Sequence, residues 1–157
     1  MFVAKQSVWH KNIECLSTNI PMSARFQYMS LGSGHLPIGK RGENLASEYL
    51  IKEGYRVINK NWRSGGLEID LVCKNKEGLL IFVEVKTLEK TGKPAFADLL
   101  PEDNVTKRKI RSIRSAVQMF VAKHSDQIEE SSGFRIDVIA LTISGEDVII
   151  NHYENAF

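Results

Sequence analysis

Residues 67 to 86 constrain this chain most. Leu67-Glu-Ile-Asp-Leu-Val-Cys73 and Leu79-Leu-Ile-Phe-Val-Glu-Val-Lys86 are two runs rich in β-branched, aromatic and aliphatic residues, and Lys74-Asn-Lys-Glu-Gly78 between them is polar with a terminal glycine. This is the pattern of two strands joined as a hairpin. Strand side chains alternate between faces. Leu67, Ile69, Leu71 and Cys73 are therefore expected on one face, with Glu68, Asp70 and Val72 on the other. In the second strand Leu79, Ile81, Val83 and Val85 share one face, and Leu80, Phe82, Glu84 and Lys86 the other. A symmetric loop sets even-numbered residues opposite even-numbered ones, which crowds Glu68, Asp70, Glu84 and Lys86 at one end of one face.

Three carboxylates and an amine in an otherwise apolar hairpin point to metal-assisted phosphodiester hydrolysis. Two neighbouring carboxylates suit a hard divalent cation, Mg²⁺ or Mn²⁺. Such a metal lowers the pKa of a bound water and offsets charge building on the phosphate. An adjacent lysine orients that water, takes its proton or stabilises the transition state. The plainer alternative is a solvated hairpin face with ordinary salt bridges. Apolar residues on both faces weigh against it.

At 157 residues, with 43% hydrophobic and 25% charged residues, the chain is long enough for one ordinary globular domain with a core. The net charge of +2 does not by itself announce a polyanionic partner. Cys15 and Cys73 are far apart in sequence, Cys73 falls in an expected core strand, and the two make no disulfide framework or zinc spacing, which suits a reducing, cytoplasmic compartment. No apolar run approaches the roughly 18 residues of a transmembrane helix, and Lys5, His10, Lys11 and Glu14 interrupt any signal-peptide core. No membrane partner is expected.

Residues 1–38 show little periodicity and read as an N-terminal extension, a loosely ordered tail, ahead of a domain over 39–157. Trp9, Phe26 and Tyr28 within it could dock on the domain or on a partner. Residues 40–53 read as a helix closed by Gly54, with Ala46, Tyr49 and Leu50 as its inward stripe. Glu43 falls in that stripe. It is either a third acidic wall of the hairpin site or a first-turn glutamate favoured by the helix dipole. Gly39 and Gly42 either admit a neighbouring backbone or mark a frayed start. Tyr55–Trp62 reads as a strand, and Arg63-Ser-Gly-Gly66 as a turn whose arginine is a phosphate contact or a loop cation.

Thr87 to Asn104 has no periodic pattern. With Lys90 and Lys93 it reads as a mobile flap over nucleic acid or as a stretch without a role. Residues 105–123 read as a second helix capped by Asn104 or Asp103, with Ile110, Ile113, Val117, Phe120 and Val121 facing the core. Lys107, Arg108, Lys109, Arg111 and Arg114 make a basic patch over its first half, with no acid at i+4 to balance it. The patch suits contact with a phosphate backbone. Lys107, Arg108, Arg111 and Arg114 are the candidate nucleic-acid-binding residues. Phe134–Thr142 and Asp147–Ile150 read as the last strands, around the turn Ser144-Gly145-Glu146. Asp137 reads as structural, paired with Arg135 or a core donor, and the four histidines lack ligand spacing.

The ordered set Gly42-Glu43 with Ala46 and Leu50, Gly54-Tyr55, Glu68-Ile69-Asp70-Leu71, Phe82-Val83-Glu84-Val85-Lys86, Lys107 with Ala116, and Arg135-Ile136-Asp137-Val138 resembles the YraN family, also called UPF0102. That family is endonuclease-like and belongs by its motifs to the PD-(D/E)xK nuclease superfamily. The resemblance spans residues 39 to about 150. It implies a restriction-endonuclease-like α/β core, a mixed β-sheet flanked by helices in the order αβββαββ. By the same resemblance Asp70 and Glu84 would bind the metal, with the Val85 carbonyl as a further ligand, and Lys86 would be the catalytic lysine. Glu43 matches the helix acid of the Holliday-junction resolvase branch. Glu68 belongs to the family's own motif, as a ligand or just behind the ligands. Ile69 stands where the superfamily's name has proline. The implied activity is a Mg²⁺- or Mn²⁺-dependent endonuclease on DNA, including branched or processed DNA. The alternatives are a nucleic-acid-binding protein with the same fold and little or no cleavage, or an RNA nuclease. Resolvase-branch members work as dimers, so a homodimer is implied by analogy.

Overall fold

The computed structural model describes residues 36–91, 106–125, 128, 133–145 and 147–157 in full, and 4–7 and 25–27 as backbone. Helix α1 (Ile38–Lys52) buries Leu45, Ala46, Tyr49 and Leu50 along one stripe. Its end is fixed by two backbone bonds, Gly54 N–H to Ile51 O at 3.1 Å and Tyr55 N–H to Leu50 O at 2.9 Å. That pair of bonds needs the left-handed residue supplied by Gly54, φ +89°. Strands β3 (Arg56–Ser64) and β4 (Leu67–Lys74) form a hairpin. Both turn residues, Gly65 and Gly66, have positive φ (58° and 77°), the conformation that matches the twist of paired strands. Strand β5 (Leu80–Glu89) follows, then helix α2 (Lys107–Lys123), and the hairpin of β6 (Phe134–Ser144) and β7 (Asp147–Tyr153). Strands β1 (Ala4–Ser7) and β2 (Arg25–Gln27) both pair with β7.

The sheet order is β1-β7-β6-β5-β4-β3, with β2 also on β7. Among the described strands only β5 and β6 run parallel; the other pairs are antiparallel. This mixed sheet, with core order αβββαββ, is the architecture implied by the sequence. Helix α1 covers one face, packing on Leu71, Cys73, Ile81, Val83, Ile139 and Leu141. Helix α2 covers the other, setting Ile113, Ala116, Val117 and Phe120 on Ile69, Val72, Phe82 and Ile136. Phe120 lies edge-on to Trp62 and Phe82, with ring centroids 5.5 and 5.4 Å apart. Burial on both faces explains the unbroken apolar stretches Leu80 to Val83 of β5 and Val138 to Leu141 of β6. Among the described residues no helix is long and apolar enough to cross a membrane.

Several boundaries differ from the sequence reading. Helix α1 starts at Ile38, so Glu43 lies beyond its first turn, which contains no acid. Strand β3 runs through Arg63 to Ser64, because the two glycines alone make the turn. Strand β5 continues to Glu89, because Thr87, Leu88 and Glu89 pair with Leu141, Thr142 and Ile143 of β6. The expected flap thus begins three residues later, and Lys93 within it lies outside the described residues. Thr106 caps α2, its hydroxyl accepting from Lys109 N–H at 3.2 Å, in place of the expected Asn104 or Asp103. Most of the expected 1–38 extension, with Trp9 and Tyr28, also lies outside the described residues.

Asp137 is fully buried and saturated. It takes Arg135 at 3.0 Å, His152 Nε2 at 2.9 Å and the Asn155 N–H at 2.9 Å. His152 Nδ1 lies 3.5 Å from the Tyr49 hydroxyl, so the cluster ties β6 and β7 to α1. Burial, and then the charge of Asp137, push the Cys73 thiol up to about 12, which leaves it an unreactive core residue.

Gly42 brings α1 against β5. A Cβ at this position would run into the Thr87 side chain, whereas one at Gly39 would meet nothing within 4 Å. Ala normally gains about 1 kcal/mol over Gly inside a helix; here overpacking outweighs that gain. Gly42→Ala is expected to destabilise the fold by about 1–3 kcal/mol in urea unfolding, and adding Thr87→Ala should restore most of the loss. A stabilised single variant would show that α1 does not press on β5 there.

A candidate active site where β4 and β5 part

The pairing of β4 with β5 runs from Lys74↔Leu80 to Leu71↔Val83 and stops. The next step in that register would set Asp70 opposite Glu84. Instead, Asp70 Oδ2 accepts the Val85 N–H at 2.7 Å. The N–H and C=O of one strand residue face the same neighbour, so the Val85 carbonyl turns toward the same gap. The strands separate where two carboxylates would otherwise be forced together.

The site is also where β4 changes faces. Ile69 and Val72 join the cluster under α2, whereas Leu71 and Cys73 join the one under α1. Strict alternation would have kept Ile69 with Leu71. In β3 the facing residue is Asn61, between the pairs Lys60↔Leu71 and Trp62↔Ile69, and its backbone is left-handed, φ 54°. That kink turns the end of the hairpin over. The expectation that Glu68, Asp70, Glu84 and Lys86 line up on one face is therefore corrected. Glu68 pairs across the hairpin with Arg63, at 2.8 Å, and does not join Glu84. Strand β5 keeps its alternation, with Ile81, Val83 and Val85 toward α1 and Leu80 and Phe82 toward α2.

Glu84 is 4% exposed. Its Oε1 receives Lys86 Nζ at 2.7 Å and Lys109 Nζ at 2.9 Å. Asp70 is pushed up to about 6, first by burial and then by the charge of Glu84. The Val85 N–H and Lys109 oppose that rise, and Glu43 adds to it. Glu43 thus reaches the site electrostatically from α1, while its own carboxylate holds Lys40 at 3.0 Å. The hydrogen bond and charge of Glu68 raise the Arg63 guanidinium further above its ordinary value, with smaller help from Glu43 and Asp70.

The structure therefore brings together Asp70, Glu84 and Lys86, with Glu43 at the edge and Glu68 outside on the Arg63 side. Lys107, Arg108, Arg111 and Arg114 are exposed along α2. Lys109 differs from them. In the sequence it belongs to the basic patch, but its ammonium points inward to Glu84. A signal existed, because 109, 113, 116 and 120 share one helical stripe, and the last three are buried. Two carboxylates, two amines and an inward-facing carbonyl form a group able to hold a cation and an anion side by side. Among the described residues no three His, Cys, Asp or Glu side chains converge as a metal cluster.

The model of the family described as Uncharacterised protein family UPF0102 matches residues 42–141. A UPF0102 protein of Trichlorobacter lovleyi is 38% identical over 128 residues, covering 81% of this chain and 94% of its own. One of Flavobacterium johnsoniae is 35% identical over 123 residues, covering 78% and 95%. Among solved structures, a chain of the EndoMS–dsDNA2 complex is 10% identical with a TM-score of 0.36, over 71% of this chain and 40% of that one. That likeness is loose.

The raised Asp70 has a consequence for stability. Its folded value of about 6 lies above the ordinary 3.8 of an aspartate, so the folded state holds the proton more tightly. The corresponding stability is fully present below about pH 4 and is lost as pH rises through about 6. Asp70→Asn keeps an oxygen for the Val85 N–H but removes the charge. It is expected to flatten the pH dependence of unfolding between pH 4 and 6 and to raise stability at pH 7, as read by denaturant melts across that range. Equal slopes in both proteins would mean that Asp70 is not held against its charge.

Proposed function

The chain belongs to the UPF0102 family, and we propose that it is a metal-dependent nuclease hydrolysing phosphodiester bonds of DNA, with Asp70, Glu84 and Lys86 at its centre. One observation carries this reading: two carboxylates lie close enough that the charge of Glu84 raises Asp70, with the Lys86 amine touching Glu84. The donors suit a hard cation. Mg²⁺ is commonly held by one or two carboxylates and completes its shell with water and substrate phosphate oxygens. Asp70 and Glu84 would hold it, with the Val85 carbonyl beside them. When bound, the ion would supply a water of lowered pKa and offset charge on the phosphate.

The chain's own residues would do the rest. Lys86 is 30% exposed at the side chain, so its ammonium can reach an incoming phosphate without leaving the neighbourhood of Glu84. There it stabilises negative charge that grows on the phosphate as water attacks. Glu43 closes the acidic side from α1. Helix α2 delivers the substrate, since its exposed cations lead toward the turn that carries Lys109. Lys107, Arg111 and Arg114 share a helical face, with Arg108 beside Arg111, and Arg111 Nε is anchored on the Lys107 carbonyl at 3.3 Å. A second reading is a nucleic-acid-binding protein with little or no cleavage. It is favoured by one observation, that two lysines already neutralise Glu84.

The test is to incubate purified protein with linear, nicked, flapped and four-way DNA and the matching RNAs, in Mg²⁺, Mn²⁺ or EDTA. Metal-dependent DNA cleavage is expected. Binding without cleavage would favour the second reading, and neither binding nor cleavage would overturn both. The helix makes a separate prediction. Replacing Lys107, Arg111 and Arg114 with Ala should flatten the plot of log affinity against log salt by about two to three units for duplex DNA. The loss should be similar across sequences, because phosphate contacts carry no base information. An unchanged slope would place the phosphate track elsewhere on the molecule.

A further inference from the structure

Glu84 takes two ammonium groups on a single oxygen, Lys86 at 2.7 Å and Lys109 at 2.9 Å from Oε1. Like charges so placed repel, and the arrangement holds because Asp70 supplies a second negative charge within reach of Lys109. Two carboxylates and two ammonium groups cancel. The lysines differ in tether. Lys86 lies on the same strand as Glu84, two residues away. Lys109 comes from the first turn of α2, its backbone N–H held by the Thr106 cap at 3.2 Å. Its side chain is 35% exposed against 4% for Glu84, so it has a path to solvent that Glu84 lacks. Its neighbours Lys107, Arg108 and Arg111 are exposed cations.

We propose that Lys109 is a positioning residue, a resident counter-cation of Glu84 that a divalent metal displaces and that then pairs with a phosphate of the bound nucleic acid. The proposal rests on the nuclease reading above. A dication brought to Asp70 and Glu84 with both lysines in place would set four positive charges against two negative ones. Releasing Lys109 relieves that excess, and a phosphate gives the released ammonium a new partner. The metal removes Glu84 from Lys109 and the phosphate replaces it, so each ligand favours the binding of the other. Such coupling is reciprocal by linkage.

The experiment titrates Mn²⁺ calorimetrically into full-length wild type, Lys109→Met, Lys109→Gln and Lys109→Arg. It also measures the affinity of each for a labelled phosphorothioate duplex with and without Mn²⁺. Two neutral variants keep the test available if one fails to fold. Without nucleic acid, the neutral variants should bind Mn²⁺ roughly tenfold tighter than wild type. In wild type, Mn²⁺ should raise duplex affinity, and the neutral variants should lose most of that gain while Lys109→Arg keeps it. Were Lys109 only an anchor for Glu84, its loss would leave Mn²⁺ affinity unchanged or weaker. Either result beside a wild type that binds Mn²⁺ overturns this inference and leaves the nuclease reading standing. A wild type that binds no Mn²⁺ overturns the metal site itself, and this inference with it.

Discussion

The juxtaposition of Asp70 and Glu84 is what the rest of the site is arranged around. Two carboxylates in a mostly buried position repel each other, and burial alone penalises each of them. The protein responds in three ways at once. It ends the β4–β5 pairing one step early, donates the Val85 N–H to Asp70, and brings an ammonium group from each of β5 and α2 to Glu84. Each response leaves a gap or a movable charge. A sheet built for stability alone would carry apolar residues here, as it does along Leu80 to Val83 of β5 and Val138 to Leu141 of β6.

Asp137 shows the contrast. It pairs in register with Val83, one residue from Glu84, yet it serves the opposite layer, where His152 and Tyr49 lie. Both of its oxygens are engaged by Arg135, His152 and the Asn155 N–H. That carboxylate is locked into the fold. Glu84 is as buried, but its partners are lysines with about a third of their side chains in solvent. The difference between a structural and a functional acid lies in the mobility of what neutralises it.

Much of this was legible in the sequence where one residue type answers to one period. The hairpin, the stripe of α1 with Glu43 in it and the alternation along β5 all follow from spacing. Strand β4 did not follow, because a left-handed Asn61 on the neighbouring strand turns its end over. Nothing within residues 67–73 carries that information. The inward role of Lys109 was hidden differently. A run of five cations reads as one patch until the buried stripe through Ile113, Ala116 and Phe120 is extended back by one turn. The length of β5 depended on partners far along the chain, Leu141 to Ile143.

The central claim is that this cluster performs phosphodiester chemistry rather than only binding. Lys86→Ala tests it most directly, in single-turnover cleavage of duplex or branched DNA with Mn²⁺, with affinity measured on the same substrate. The account predicts that cleavage falls by roughly two to four orders of magnitude while affinity changes by less than about tenfold, since the amine acts mainly when charge grows on the phosphate. Cleavage by the variant at the wild-type rate would contradict it.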